Sequence, residues 1–136
     1  MDRLRAEITG LIDYCNILRL WVTLLLPKIE DGNNFGRSVQ EETVNEVQNA
    51  ECELALYLSQ ISNYFSSRAK IATKIIKNPH VQDYYRYIAE EDEKQFVNFR
   101  LMLVDIRNTY SSIHDLILKN IEKIKRPRNS NYGSMY

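Results

Sequence analysis

The sequence predicts an all-α fold, a long antiparallel helical bundle with three helices in this chain. Three observations carry that prediction. Apolar residues recur every three or four positions along most of the chain. The 136 residues contain only three prolines and four glycines, so a helix has few places where it must stop. Four of these seven residues fall at two interior points, Pro27 with Gly32 and Gly36, and Pro79 after Asn78, which divides the chain into three.

The first helix is predicted over about residues 2–26. Leu4, Ile8, Leu11, Ile12, Cys15, Leu18, Val22 and Leu25 fall at helical spacing. Around Trp21 the apolar surface widens beyond one stripe, so this end should be covered on more than one side. Pro27 ends the helix, because the residue before a proline is disfavoured in the α region.

The second helix is predicted over about residues 38–77. Ser38-Val-Gln-Glu41 reads as a capping box, in which the serine oxygen accepts from the Glu41 N–H and the glutamate reaches back. Val44, Val47, Leu54, Leu58, Ile61, Phe65, Ala69, Ala72 and Ile76 then form the stripe, and no proline or glycine interrupts it. At ~1.5 Å per residue the rod is roughly 60 Å long.

Asn78-Pro79 reads as a short stop and restart, with Asn78 capping and Pro79 in the first helical turn. The third helix is predicted over about residues 79–125, closed by Pro127. Its stripe is Val81, Tyr84, Ile88, Phe96, Phe99, Leu103, Ile106, Tyr110, Ile113, Ile117, Ile121 and Ile124. The short break makes the second and third helices antiparallel. Residues 126–136 lack periodicity and read as a mobile polar tail, although Met135 and Tyr136 give it an apolar end. Helices of unequal length expose much apolar area, which predicts a fourth helix, subunit neighbours, or both.

The break at Lys28 to Arg37 is longer than a helix connection requires. It carries Glu30, Asp31, Gly32, Asn33, Asn34, Phe35 and Gly36. A phenylalanine on a loop tip implies that something docks there.

Eighteen basic and eighteen acidic residues cancel, so net charge points to no polyanionic partner. Cys15 and Cys52 lie inside helical patterns without metal-ligand spacing and read as two buried, reduced thiols of an intracellular protein. No signal peptide is visible, and the apolar stretch Ile17 to Leu26 is too short for a membrane span.

The inventory for catalysis is thin. His80 and His114 have no cysteine or serine partner suggested by local sequence, and neither follows a glutamate by three residues as a di-iron bundle requires. No phosphate-binding glycine loop is present. The expectation is a protein that is not an enzyme and uses no cofactor or metal. The acidic run Glu90, Glu91, Asp92 and Glu93 reads as a solvated face, with a charged rim as the sharper alternative. Lys70 and Lys74 read as a solvated pair. The basic cluster Lys119, Lys123, Lys125, Arg126 and Arg128 suits a helix C-terminus, with nucleic-acid contact or an import signal as alternatives.

Three separated motifs together resemble the 11S proteasome activator (REG) family. Pro27-Lys-Ile-Glu-Asp-Gly-Asn-Asn-Phe-Gly36 resembles its activation loop, followed by Val39-Gln-Glu41 at the start of the next helix. Pro79-His-Val-Gln-Asp-Tyr84 resembles its short connection. Ile117-Leu-Lys-Asn-Ile-Glu-Lys-Ile-Lys-Arg-Pro-Arg128 resembles the end of its last helix, especially in gamma-type subunits.

The resemblance implies a heptameric ring, homomeric or mixed with related subunits, around a pore. It implies docking on the α-ring of the 20S proteasome and gate opening without ATP. Glu30 to Gly36 become the activation loop, Gly133, Ser134, Met135 and Tyr136 the docking end of the tail, and Lys70 a pore-facing position. No nucleic acid or membrane is expected as a partner, and the location is nucleus, cytoplasm or both. Family chains begin with another long helix and a linker, so a truncated, alternative or processed chain is expected. Arg37 stands where the family has a small apolar residue. The competing reading is a helical interaction module that pairs with a longer partner without opening the gate; a more distant one binds RNA through the basic end.

Overall fold

The computed structural model describes residues 1–29 and 34–128. It contains three helices, α1 (Asp2–Leu24), α2 (Phe35–Lys77) and α3 (Gln82–Lys125), and no strand among the described residues. Cross-helix pairs fix their directions. Gln40 of α2 reaches Ile124 near the end of α3, and Tyr64 reaches Asp92 near its start, so α2 and α3 are antiparallel. Arg19 pairs with Glu51 and Gln40 with Leu25, so α1 is antiparallel to α2 and therefore parallel to α3.

The boundaries at Asp2, Lys77 and Lys125 fall where the sequence places them, and the other three depart from it for identifiable reasons. α1 stops at Leu24, because the N–H groups of Leu25 and Leu26 turn back to the carbonyls of Val22 and Thr23, three residues away. That tightened turn absorbs the residues before Pro27. α2 begins at Phe35, a turn earlier than the serine expected to cap it. The capping box is absent: Ser38 is inside the helix, its N–H bonds to Asn34 O at 3.0 Å and its hydroxyl donates to Phe35 O at 2.7 Å. Tertiary contacts of Phe35, Gly36 and Arg37 extend the helix past its local stop signal.

α3 begins at Gln82, so Pro79 is not in its first turn. Asn78 instead closes α2, its N–H bonded to Lys74 O at 3.0 Å. The Val81 N–H then returns to Asn78 O at 3.2 Å, making a turn with Pro79 in its second position. Proline's fixed φ suits that place.

The core joins Leu4, Ile8, Leu11 and Cys15 of α1, Val47, Leu54 and Ile61 of α2, and Met102, Ile106 and Ile113 of α3. It fills only the half of the bundle that α1 covers, because α1 has 23 residues against 43 in α2 and 44 in α3. Beyond it α2 and α3 continue as a two-helix hairpin. The predicted stripes hold only in part there: Ala72, Tyr84 and Ile88 are half-buried, while Phe65, Ala69 and Ile76 of α2, and Val81 and Phe96 next to or on α3, are exposed. The hairpin is held by buried Ile71, by Arg68, 3.0 Å from Asp92, by the Tyr64 hydroxyl donating to Asp92 at 2.8 Å, and by Lys74 over the Tyr84 ring. Leu103, expected in the stripe, is exposed, and Met102 is buried in its place.

Only one of the two cysteines is buried. Cys15 is in the core, where burial and the nearby Glu51 carboxylate push its thiol up to about 11, whereas Cys52 is exposed. Among the described residues, no helix is long and apolar enough to cross a membrane.

Candidate functional site

The three chain ends that matter meet at one end of the bundle. α1 delivers Leu25 to Ile29, α2 begins with Phe35 to Gln40, and α3 ends at Lys125 and continues to Arg128. Four contacts tie these segments together.

The buried contact is Gln40. Its seven-residue spacing from Val47, and theirs from Leu54 and Ile61, places it on the core row of α2, where it is fully buried. Its Nε2 donates to Leu25 O at 3.1 Å and to Ile124 O at 2.8 Å. Leu25 caps the end of α1 and Ile124 lies in the last turn of α3, where carbonyls lose their intrahelical partners. One amide therefore serves two helix ends. Carbonyls accept and do not donate, so they fix which way the amide points. Its Oε1 is buried without a partner among the described residues.

The second contact is steric. Gly36 is buried, and a Cβ there would lie 2.5 Å from Pro127 Cα and 2.6 Å from its carbonyl carbon. Only glycine lets the α2 backbone approach the chain leaving α3 so closely.

The third and fourth contacts are polar and part-exposed. Arg37 donates to Pro27 O and lies 2.9 Å from Glu41, so it holds the start of the loop to its end. Arg128 donates to Lys28 O, tying the start of the tail to the start of the loop. Beside them Lys123 sits over the Phe35 ring, 4.8 Å from its centroid. Phe35 keeps much of its surface in solvent, but it opens a helix and is not a loop tip.

The arrangement brings together Asn34, Phe35 and Gly36 with the base of the tail. Glu30, Asp31, Gly32 and Asn33 lie outside the described residues, as do Gly133, Ser134, Met135 and Tyr136. Lys70 is not part of this node; it is exposed on α2 in the distal hairpin. The basic cluster divides: Lys123 and Arg128 hold loop residues, while Lys119 pairs with Asp115 at 2.6 Å. The acidic run divides too. Glu90 pairs with Arg86 and Glu91 with Lys94 on α3 itself, whereas Asp92 pairs with Arg68 across on α2.

Sequence reasoning missed Gln40, and a signal existed: a polar residue on an otherwise aliphatic seven-residue row. The pairs Lys123–Phe35 and Arg128–Lys28 are far apart in the chain and left no local trace. His80 and His114 are both exposed and separate, and no group of His, Cys, Asp or Glu that could hold a metal occurs among the described residues.

The chain matches the family described as "Proteasome activator PA28, C-terminal" over residues 1–134. "Proteasome activator complex subunit 3" of Homo sapiens and of Gallus gallus are each 54% identical over 136 residues, which is 100% of this chain and 54% of theirs. The chain thus spans about half the length of these relatives. The crystal structure of the 11S subunit of the Plasmodium falciparum proteasome, PA28, superposes with a TM-score of 0.85 at 38% identity, covering 94% of this chain and 57% of that one.

Proposed function

The chain belongs to the proteasome activator PA28 family, and on that premise we propose that it is a non-catalytic, ATP-independent activator subunit of the 20S proteasome. One observation carries the reading beyond family membership. The loop base and the tail base leave the bundle side by side, so both can address one partner surface.

In this reading the tail holds and the loop acts. Gly133 to Tyr136 insert between α-ring subunits, where the terminal carboxylate makes a charge-assisted hydrogen bond. A single tail binds weakly because ordering it costs entropy, whereas several on one ring share effective concentration. The loop, from Lys28 to Arg37, displaces the gate segments. Asn33 and Asn34 suit its centre, because an amide donates and accepts at once and tolerates tight turns. Phe35 to Arg37, being helical, are its rigid base. Subunits form a heptamer, alone or with related subunits, with Lys70 facing the pore, in the nucleus, the cytoplasm or both.

The test is peptide hydrolysis by latent 20S proteasome with and without the protein. Stimulation is expected. Asn33→Tyr should abolish it while docking persists, and removal of Met135 and Tyr136 should weaken docking. Absence of stimulation by an assembled ring would sink the reading.

A second reading draws on the bare apolar surface of α1 and α3. Tyr14, Ile17, Leu20 and Leu24 on α1, with Val97, Leu101 and Val104 on α3, are exposed. Such surface also suits a helical module that pairs with a longer partner and opens nothing. Stimulation by the chain alone would reject that alternative.

A further inference from the structure

We propose that Gln40 is a positioning residue that couples the activation loop to the docking tail. The inference rests on the roles given above to loop and tail, and it names what joins them. Leu25 is where the chain turns out of α1 toward the loop, and Ile124 is the next-to-last residue of α3 before the tail. The two N–H groups of one side chain bond to both carbonyls, at 3.1 and 2.8 Å. The two bases cannot separate without breaking at least one of these bonds.

Burial makes this link different from its neighbours. Arg37 and Arg128 retain access to solvent, so water can replace their contacts. Gln40 is fully buried, so a lost bond leaves a carbonyl without a donor. Its row is otherwise Val47, Leu54 and Ile61, and an aliphatic residue would fill the position without burying an unpartnered Oε1. Glutamine carries that cost and in return fixes the spacing of two helix ends, which no aliphatic side chain can do. Gln40 acts through the two carbonyls.

The test uses Gln40→Met and Gln40→Asn in the full 136-residue chain. Titration against latent 20S proteasome separates two quantities. The half-saturating concentration reports docking by the tail, and the plateau reports opening by the loop. Gln40→Met loses both hydrogen bonds, so the plateau is expected to fall by more than the roughly fivefold that one lost hydrogen bond represents. The half-saturating concentration should stay within about twofold, the scatter of an uncoupled site. Gln40→Asn, too short to span both carbonyls, should fall between. An unchanged plateau overturns the proposal, and so does a parallel loss of plateau and affinity, which marks general loosening.

A second measurement needs no proteasome. With Cys52→Ser, spin labels on Lys28→Cys and Lys125→Cys report the distance between the two bases. The distribution should be narrow with Gln40 and broad with Gln40→Met; equal widths overturn the proposal. If the parent chain does not stimulate at all, the proposed function fails, and this width still decides whether Gln40 joins the two bases.

Discussion

Asp92 accepts hydrogen bonds from Tyr64 at 2.8 Å and from Arg68 at 3.0 Å, and both partners come from α2. The Arg68 bond, then the Tyr64 bond, hold its carboxyl below the ordinary 3.8. Because the folded value is the lower one, the stabilisation is complete above the unfolded value and is lost as pH falls through the folded one. Arg68 is exposed, so the effect is modest and screened by salt. Urea midpoints measured from neutral pH down into the acid range should therefore fall more steeply in the parent than in Asp92→Asn. Parallel curves would show that Asp92 does not carry this dependence. At the residue scale such pairs leave little trace in the sequence. Asp92 reads as one of four adjacent acids, and only packing of α3 on α2 separates it from Glu93.

Helix lengths decide where each element is stable. α1 covers only part of the much longer α2 and α3, so one half of the bundle has a three-helix core and the other is a hairpin. Leu54, buried among all three helices, should lose about 2–5 kcal/mol on Leu54→Ala. Ile76 lies on the same predicted stripe but is 81% exposed, so Ile76→Ala should change stability by no more than about 0.5 kcal/mol. Urea unfolding of both variants checks this, and equal losses would mean that the hairpin half is covered in solution. The existence and type of all three elements were legible, because periodicity persists over dozens of residues. Their boundaries were less so. Ser38 carries the local signature of a helix start, yet contacts of Phe35, Gly36 and Arg37 with distant residues begin α2 a turn earlier.

The whole molecule carries two bare apolar stripes, Ile17, Leu20 and Leu24 on α1 and Val97, Leu101 and Val104 on α3. Their spacing of three and four residues is that of helix faces meant for a neighbour. Exposed apolar area of this kind drives association. Native mass measurement is therefore expected to find an assembly of several chains, with seven the number implied by the proposed ring. Leu20→Asp, at a position outside the core, should shift that assembly toward monomer without loss of helicity. A parent chain that stays monomeric at high concentration would argue against ring formation by this chain alone. The net charge of zero leaves no strong self-repulsion to oppose assembly.

The sequence by itself determined the helical class, the number of helices, their relative directions and the two breaks. Those properties follow from apolar spacing and from where proline and glycine fall, and both are local. It also singled out the first break, through its length and its crowding of Asn33, Asn34 and Phe35, as the place where the proposed loop would act. Only the tertiary structure decided what holds that break. Gln40 to Ile124, Arg128 to Lys28 and Lys123 to Phe35 join residues at least 84 positions apart. Such pairings have no period to betray them. They arise because α1 and α3 run parallel and end together, which brings two sets of unpartnered helix-end carbonyls within reach of one buried amide.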